Sequence, residues 1–188
     1  MVTPEQRQAR KSEIMKTVFE CYCTYGLGNI GIKGIAKACD IASGSLYTYF
    51  ENVDDMILES TAFYMDNVMN DFAGRLVTIS DNIERFLRET PGWSKENYGE
   101  AYRFMYQVYS HPKYYKAGQK FFAVQEEQYC LWADQLAPKM GIDYVDLLAL
   151  IHLITHTIVH YSVFEREEYL KTQTAIILKM YNSAKKKK

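Results

Sequence analysis

Little in this chain suits disorder. It has 4 Pro and 10 Gly in 188 residues, against 48% hydrophobic residues, so wholesale disorder is excluded. The 4 cysteines, Cys21, Cys23, Cys39 and Cys130, form no C-x-x-C pair and no Cys/His ligand spacing. Reduced thiols in a core are expected, with no metal site. The longest apolar stretches are interrupted by charge, Thr or His, so no membrane span is expected. The first residues are polar (Pro4, Glu5, Gln6, Arg7), so no secretory signal is expected and the cytoplasm is the expected compartment. No nucleophile–base pairing, phosphate loop or metal set is legible. The expectation is therefore neither an enzyme nor a cofactor protein.

Net charge is −1, which by itself does not favour a nucleic-acid partner. The distribution is uneven. Residues 1–50 carry six cations (Arg7, Arg10, Lys11, Lys16, Lys33, Lys37) and four anions (Glu5, Glu13, Glu20, Asp40). Lys185–Lys188 add four cations, and residues 51–184 hold 12 cations against 19 anions. A mildly basic start on an acidic body fits an anionic partner for the first 50 residues; ordinary charge scatter fits as well.

No segment alternates like a strand, and no internal repeat appears. The period is helical nearly throughout. Ile14, Val18, Cys21, Tyr22 and Tyr25 make one stripe of a first helix, ended by Gly26 and Gly28. Short helices fit Ile32–Cys39 and Ser43–Phe50. Asn52 caps a long helix over Val53–Val77, with Asp54 and Asp55 at its positive end. A short helix carries Ile83, Phe86 and Leu87, and Pro91-Gly92 reads as a break. Further helices span Tyr98–Tyr109, Tyr115–Lys139, Asp143–Phe164 and Glu167–Ala184. In the seventh, Phe121, Phe122, Gln125, Tyr129, Trp132 and Leu136 should face inward. The expectation is an all-α chain of about nine helices. Its parts would be an N-terminal three-helix domain (1–52), a helical ligand-binding and dimerisation domain (53–184) and a basic tail (185–188).

The informative stretch is residues 32–50. Two short helices across a tight turn make a helix-turn-helix. Ile35, Ile41, Leu46 and Phe50 can face the first helix. Ala36 is small where helices must approach. Asp40 sits at the turn, where a left-handed residue is expected. Ser43, Gly44 and Ser45 are small at the start of the third helix, which lets its backbone approach phosphates or base edges.

Residues 10–58 resemble the DNA-binding domain of TetR-family transcriptional regulators. The matching run starts at Gly31 and ends at Met56, and Gly44-Ser45-Leu46-Tyr47-Thr48-Tyr49-Phe50 is its specific part. The resemblance implies DNA contacts by Gly31 (through its backbone N–H), Lys33, Ser43, Gly44, Ser45, Tyr47, Thr48 and Tyr49. Three positions depart from the family pattern: Gly31 replaces a Thr, Asp40 the turn Gly, and Val53 a Lys that often holds the DNA backbone. The implied function is a repressor, bound to a palindromic operator as a homodimer and released by a small molecule. A helical binding module of the same fold with weak or lost DNA binding is the other reading.

Residues 147–160 are apolar nearly all round, so that helix must be covered on more than one side. The resemblance implies pairing of the last two helices with their copies, through Leu147, Ile151, Ile154, Ile158, Leu170 and Ile177. His152, His156 and His160 form one stripe with neighbours about 6 Å apart along the axis. It would line either a ligand cavity or the dimer seam. The chain has 16 Tyr, crowded in the central helices, which suits a cavity for a mostly apolar ligand, although such residues can also simply fill a core. Candidate ligand contacts are Tyr64, Phe72, Tyr102, Tyr106, Phe122, Tyr129 and His156.

Overall fold

The computed structural model describes residues 3–186; Lys187 and Lys188 of the expected tail lie outside them. Among the described residues there is no strand. Eight helices follow in order: α1 (Pro4–Tyr25), α2 (Ile32–Ala38), α3 (Ser43–Leu46), α4 (Val53–Leu76), α5 (Ile83–Tyr109), α6 (Tyr115–Met140), α7 (Tyr144–Phe164) and α8 (Glu167–Lys185). A 3-10 turn, Val77–Ser80, follows α4.

The expected count of nine falls to eight because Pro91 does not break α5. A proline inside a helix costs about 3 kcal/mol in lost hydrogen bonding and sterics. Phe86, Leu87, Thr90, Ser94, Ala101 and Tyr102 are all buried along this helix. At about 1.5–3 kcal/mol for each large apolar side chain, that burial outweighs the proline.

The chain divides into two compact units. The first contains α1–α3, α4 as far as Met69, and the stretch Phe104–Gly118. Its core is aromatic: Phe19 stacks on Tyr64 at 4.1 Å between centroids and meets Phe104 edge-on at 5.3 Å. Ile14, Val18, Cys21 and Tyr22 are buried as expected, but Tyr25, the last residue of α1, is exposed. The α1 start is a capping box: the Thr3 side chain accepts from the Gln6 backbone, and Gln6 accepts from that of Thr3. The division expected at residue 52 followed the motif; this unit also takes in α4 as far as Met69 and the α5–α6 connection.

The second unit contains Asn70–Arg103 and the chain from Gln119 onward. Phe72 packs against Phe86 and Trp132. Gly99 lies so close to α7 that a Cβ there would stand 2.8 Å from the Ser162 carbonyl oxygen, so a larger residue would push the helices apart. Beside it, the Ser162 hydroxyl bonds that of Ser94 at 3.1 Å. Asp143 caps α7 by accepting from the Val145 N–H.

Two features of α7 bear on the expectations. By length and composition this helix is apolar enough to cross a membrane, with a mean hydropathy of 1.6, yet half of that window is buried inside the chain. The residues expected at a dimer seam are the buried half: Leu147, Ile151, Ile154, Ile158 and, on α8, Ile177 are at most 1% exposed within the single chain. A helix packed on its own chain uses its most apolar stripe there first, so these residues belong to the core of the single chain. Leu170 is half-buried.

The uncovered stripe of α7 is Val145, Leu148, Ala149, His152, Leu153 and His156, lining an open groove of about 560 Å³. A second groove of about 460 Å³ includes Asp146, Ala149, Ile176, Lys179 and Met180, from α7 and α8.

Candidate nucleic-acid interface

Gly31 caps α2 with extended backbone, and its carbonyl accepts from Gly34 and Ile35 at 2.9 and 3.1 Å. Ile35 and Ala36 are buried, so Lys33 and Lys37 project from the other side of α2 to solvent. No ion pair engages either lysine among the described residues. Asp40 is left-handed, with φ 52°, as expected from the turn. Ile41 N–H then donates to Ala36 O at 3.0 Å, closing the turn over the end of α2.

Ala42 precedes α3 in extended conformation and offers no side-chain cap. The α-helical part is shorter than expected, ending at Leu46 rather than Phe50. Residues 47–49 continue as tight turns, with Tyr47, Thr48 and Tyr49 donating to Gly44, Ser45 and Leu46. Leu46 and Phe50 are buried. Burying them turns Gly44 and Tyr47 outward; Tyr47 is 51% exposed. Ser43 and Ser45 are half-buried. Thr48 is exposed, and its hydroxyl donates to Ser45 O at 2.7 Å. Tyr49 is half-buried beside a cleft formed with Thr3, Pro4, Arg7, Gln8, Lys11 and Thr48. Of the eight sequence-derived positions, Lys33, Ser43, Gly44 and Ser45 fall within the α2–turn–α3 segment, Tyr47, Thr48 and Tyr49 lie on the turns that follow α3, and Gly31 caps α2.

Val53 opens α4 and is 37% exposed. Asn52 caps this helix, accepting from the Asp55 N–H at 3.0 Å and donating to the Asp55 carboxylate at 2.7 Å. Asp54 in the first turn receives Lys113 Nζ and Tyr114 OH, each at 2.7 Å. The Lys113 bond, then the Tyr114 bond, holds the Asp54 carboxyl below its usual range. Burial, then the Asp54 bond, pushes Tyr114 up to about 12. Sequence reading missed this node, since nothing local relates residues so far apart in the chain.

The candidate ligand residues fall in both units. Tyr64 and Tyr106 belong to the first, Phe72, Tyr102, Phe122, Tyr129 and His156 to the second. Phe122, expected inward, is 39% exposed, as is Tyr106. In the second unit a row of rings runs Phe86, Phe72, Trp132, Tyr129, His152, His156, with neighbouring centroids 5.0–6.2 Å apart. It leads from buried Phe86 to His156 on the uncovered stripe of α7. His156 Nδ1 meets the His152 carbonyl at 2.7 Å. His160 departs from its neighbours: its ring packs on Tyr169 and Phe164, and its buried Nδ1 has no hydrogen-bond partner among the described residues.

No family model matches the chain. One curated relative, the HTH-type transcriptional repressor KstR2 of Mycolicibacterium smegmatis, is 26% identical over 83 residues, which are 44% of this chain and 40% of that protein. The matched part therefore spans well under half the length of that relative. Likeness to solved structures covers nearly the whole chain. A candidate TetR-family transcriptional regulator from Mesorhizobium loti superposes with a TM-score of 0.70 at 15% identity, over 94% of this chain and 98% of that one. The multidrug binding protein EbrR, complexed with malachite green, superposes with a TM-score of 0.59 at 15% identity, over 91% and 97%. The chain has the fold of TetR-family transcriptional regulators.

Proposed function

We propose that this protein is a transcriptional regulator of the TetR family, acting as a repressor that binds a palindromic operator as a homodimer and leaves it when a small molecule binds. The observation that carries the reading is the α2–turn–α3 segment. Ile35, Ala36, Leu46 and Phe50 are used inside, while Lys33, Lys37, Gly44 and Tyr47 face solvent, and neither lysine has an ion-pair partner among the described residues. Residues 1–52 would be the reading head and residues 53–184 the ligand-binding and dimerisation part. Lys33 and Tyr47 would hold the phosphate backbone, and Ser45 would approach base edges, since backbone contacts position a protein and base contacts specify the sequence.

The dimer seam would be the uncovered stripe of α7, residues 145–156, joined by Ile176 and Met180 of α8. The effector would be mostly apolar and aromatic. Two features support that class: the ring row from Phe72 to His156, and the dye carried by EbrR, a protein of like fold. Tyr102, Tyr106, Tyr64 and Phe122 remain proposed contacts. The test is selection of duplexes from a randomised library by the full chain, followed by gel shifts in low salt. Recovery of a palindrome supports the repressor reading. Failure to bind any duplex would leave the other reading, a helical small-molecule-binding module, which the few unpaired cations of the head also suit.

A further inference from the structure

Arg7, Arg10 and Lys11 lie on one face of α1, spaced i, i+3 and i+4. In sequence they look like the start of a phosphate-binding patch. Each instead reaches a different neighbouring element. Arg7 Nη2 donates to the Thr48 carbonyl at 2.7 Å, just past α3. Arg10 Nη2 donates to the Cys39 carbonyl at 2.9 Å, where α2 closes, while its Nη1 bonds Glu13 at 2.8 Å. Lys11 pairs with Glu59 of α4, and its ammonium stands 5.3 Å from the centre of the Phe50 ring.

We propose that Arg7 and Arg10 are positioning residues that fix the α2–turn–α3 segment for DNA, rather than contacts to phosphate. This rests on the DNA-binding reading above. Carbonyls at the end of a helix lack intrahelical donors and carry the negative end of its dipole. A guanidinium presents several donors in a rigid plane, so it can hold such a carbonyl in one direction. Cys39 and Thr48 bracket residues 40–47, which contain the left-handed Asp40 and the proposed DNA contacts Ser43, Gly44, Ser45 and Tyr47. A non-glycine residue in that conformation is unfavourable by about 1–2 kcal/mol, so the turn benefits from being held on both sides. Lys16 is also near an acid, Glu20, at 4.0 Å. Of the six cations in residues 1–50, this leaves Lys33 and Lys37 to set the salt dependence of binding.

The decisive variants are Arg7→Met, Arg10→Met and Arg7→Lys in the full chain. In the DNA-free protein, hydrogen exchange at the amides of residues 41–50 should accelerate in all three, while the melting temperature hardly moves. Arg7→Lys serves where the methionine variants fold poorly. On the duplex that the wild type enriches from a random library, Arg7→Met should lose about tenfold or more in affinity, since a hydrogen bond from a charged group is lost in each subunit. On a scrambled duplex the loss should be smaller. The slope of log affinity against log salt should stay the same. A phosphate contact behaves differently: Arg7→Met would flatten the slope by about 0.9 per subunit, and Arg7→Lys would keep it. A flattened slope, or unchanged exchange at residues 41–50, overturns the proposal. If the wild type binds no duplex, the regulator reading falls, and the exchange rates still decide whether the arginines hold the turn.

Discussion

The α2–α3 surface presents Lys33, Lys37, Gly44 and Tyr47 to solvent, whereas the uncovered stripe of α7 presents Val145, Ala149, Leu153 and His156. Both are left over after the chain has built its core, but from different material. In the short helices the apolar positions are few, and Ile35, Ala36, Leu46 and Phe50 go inward, so mainly small, polar and charged residues remain outside. In α7 apolar positions outnumber polar ones two to one, so a second, mostly apolar stripe remains after Leu147, Ile151, Ile154 and Ile158 are buried. The first surface suits a polyanion; the second suits another apolar face.

The largest test of this contrast uses two adjacent residues. Ile154 is fully buried, and Leu153 lines the α7 groove. Ile154→Asp places an unpaired carboxylate in the core and removes a packed side chain, which should cost about 3–5 kcal/mol or more and unfold the protein. Leu153→Asp should leave the melting curve of the single chain nearly intact while shifting sedimentation from dimer to monomer. If both variants merely dissociate, Ile154 reaches the seam after all and the division of α7 into two faces is wrong.

On the other surface, Tyr47→Ala should weaken selected and scrambled duplexes alike, by about tenfold to a hundredfold in the dimer, because a lost phosphate contact carries no sequence information. Thr48→Val should matter far less, since that hydroxyl donates to Ser45 O within the segment. Gel shifts with both duplexes check the pair. A loss confined to the selected duplex would move Tyr47 from the backbone to the bases.

A pH series sharpens the comparison from the α7 side. Burial holds the His152 pKa below its usual value; His156 acts in the same direction, and Glu126 of α6 acts against it. The folded chain thus binds its proton less readily than the unfolded chain. Stability from this group is complete above the ordinary histidine range, near pH 6.5, and is lost as pH falls toward the depressed value. Covering the stripe with a second copy would deepen that burial, so dimers should loosen on acidification from about pH 7.5 to about pH 5.5. Sedimentation across that range measures it, and His152→Gln should remove most of the dependence. Equal loosening in His152→Gln would assign the effect elsewhere.

Much of this was legible from local chemistry. The Asp40 turn, the Asn52 cap and the short α2 each depend on a few neighbouring residues, and the structure has them where spacing put them. Helix existence along 53–184 was legible from periodicity alone. Three things were not. Pro91 is a strong local breaker overruled by burial along α5, which no window around it reveals. The faces of α7 could not be told apart, because an apolar residue looks the same whether its own chain or a copy covers it. The ties from Arg7 and Arg10 span 41 and 29 residues, although the i, i+3, i+4 spacing of the three cations was a signal that they act together.

The smallest expected effect concerns Val53, where α4 begins. This side chain is 37% exposed, so replacing it removes little packing. Val53→Lys would add one cation per subunit beside the proposed DNA surface, at the position where TetR-like sequences often carry Lys. Two opposing terms act. A cation near a helix N-terminus is disfavoured by about 0.3–1 kcal/mol, offset in part by Asp54 and Asp55 in the same turn. A new phosphate contact should steepen the salt slope by about 0.9 per subunit, and equally for selected and scrambled duplexes. The expected outcome is tighter binding at low salt, a slope steeper by nearly two in the dimer, an unchanged ratio between duplexes, and a melting temperature slightly lowered. Affinity measured at several salt concentrations, with melting as control, reads all four. An unchanged slope in a stable variant would mean that the start of α4 does not face the phosphates, and the DNA surface would then be confined to the α2–turn–α3 segment.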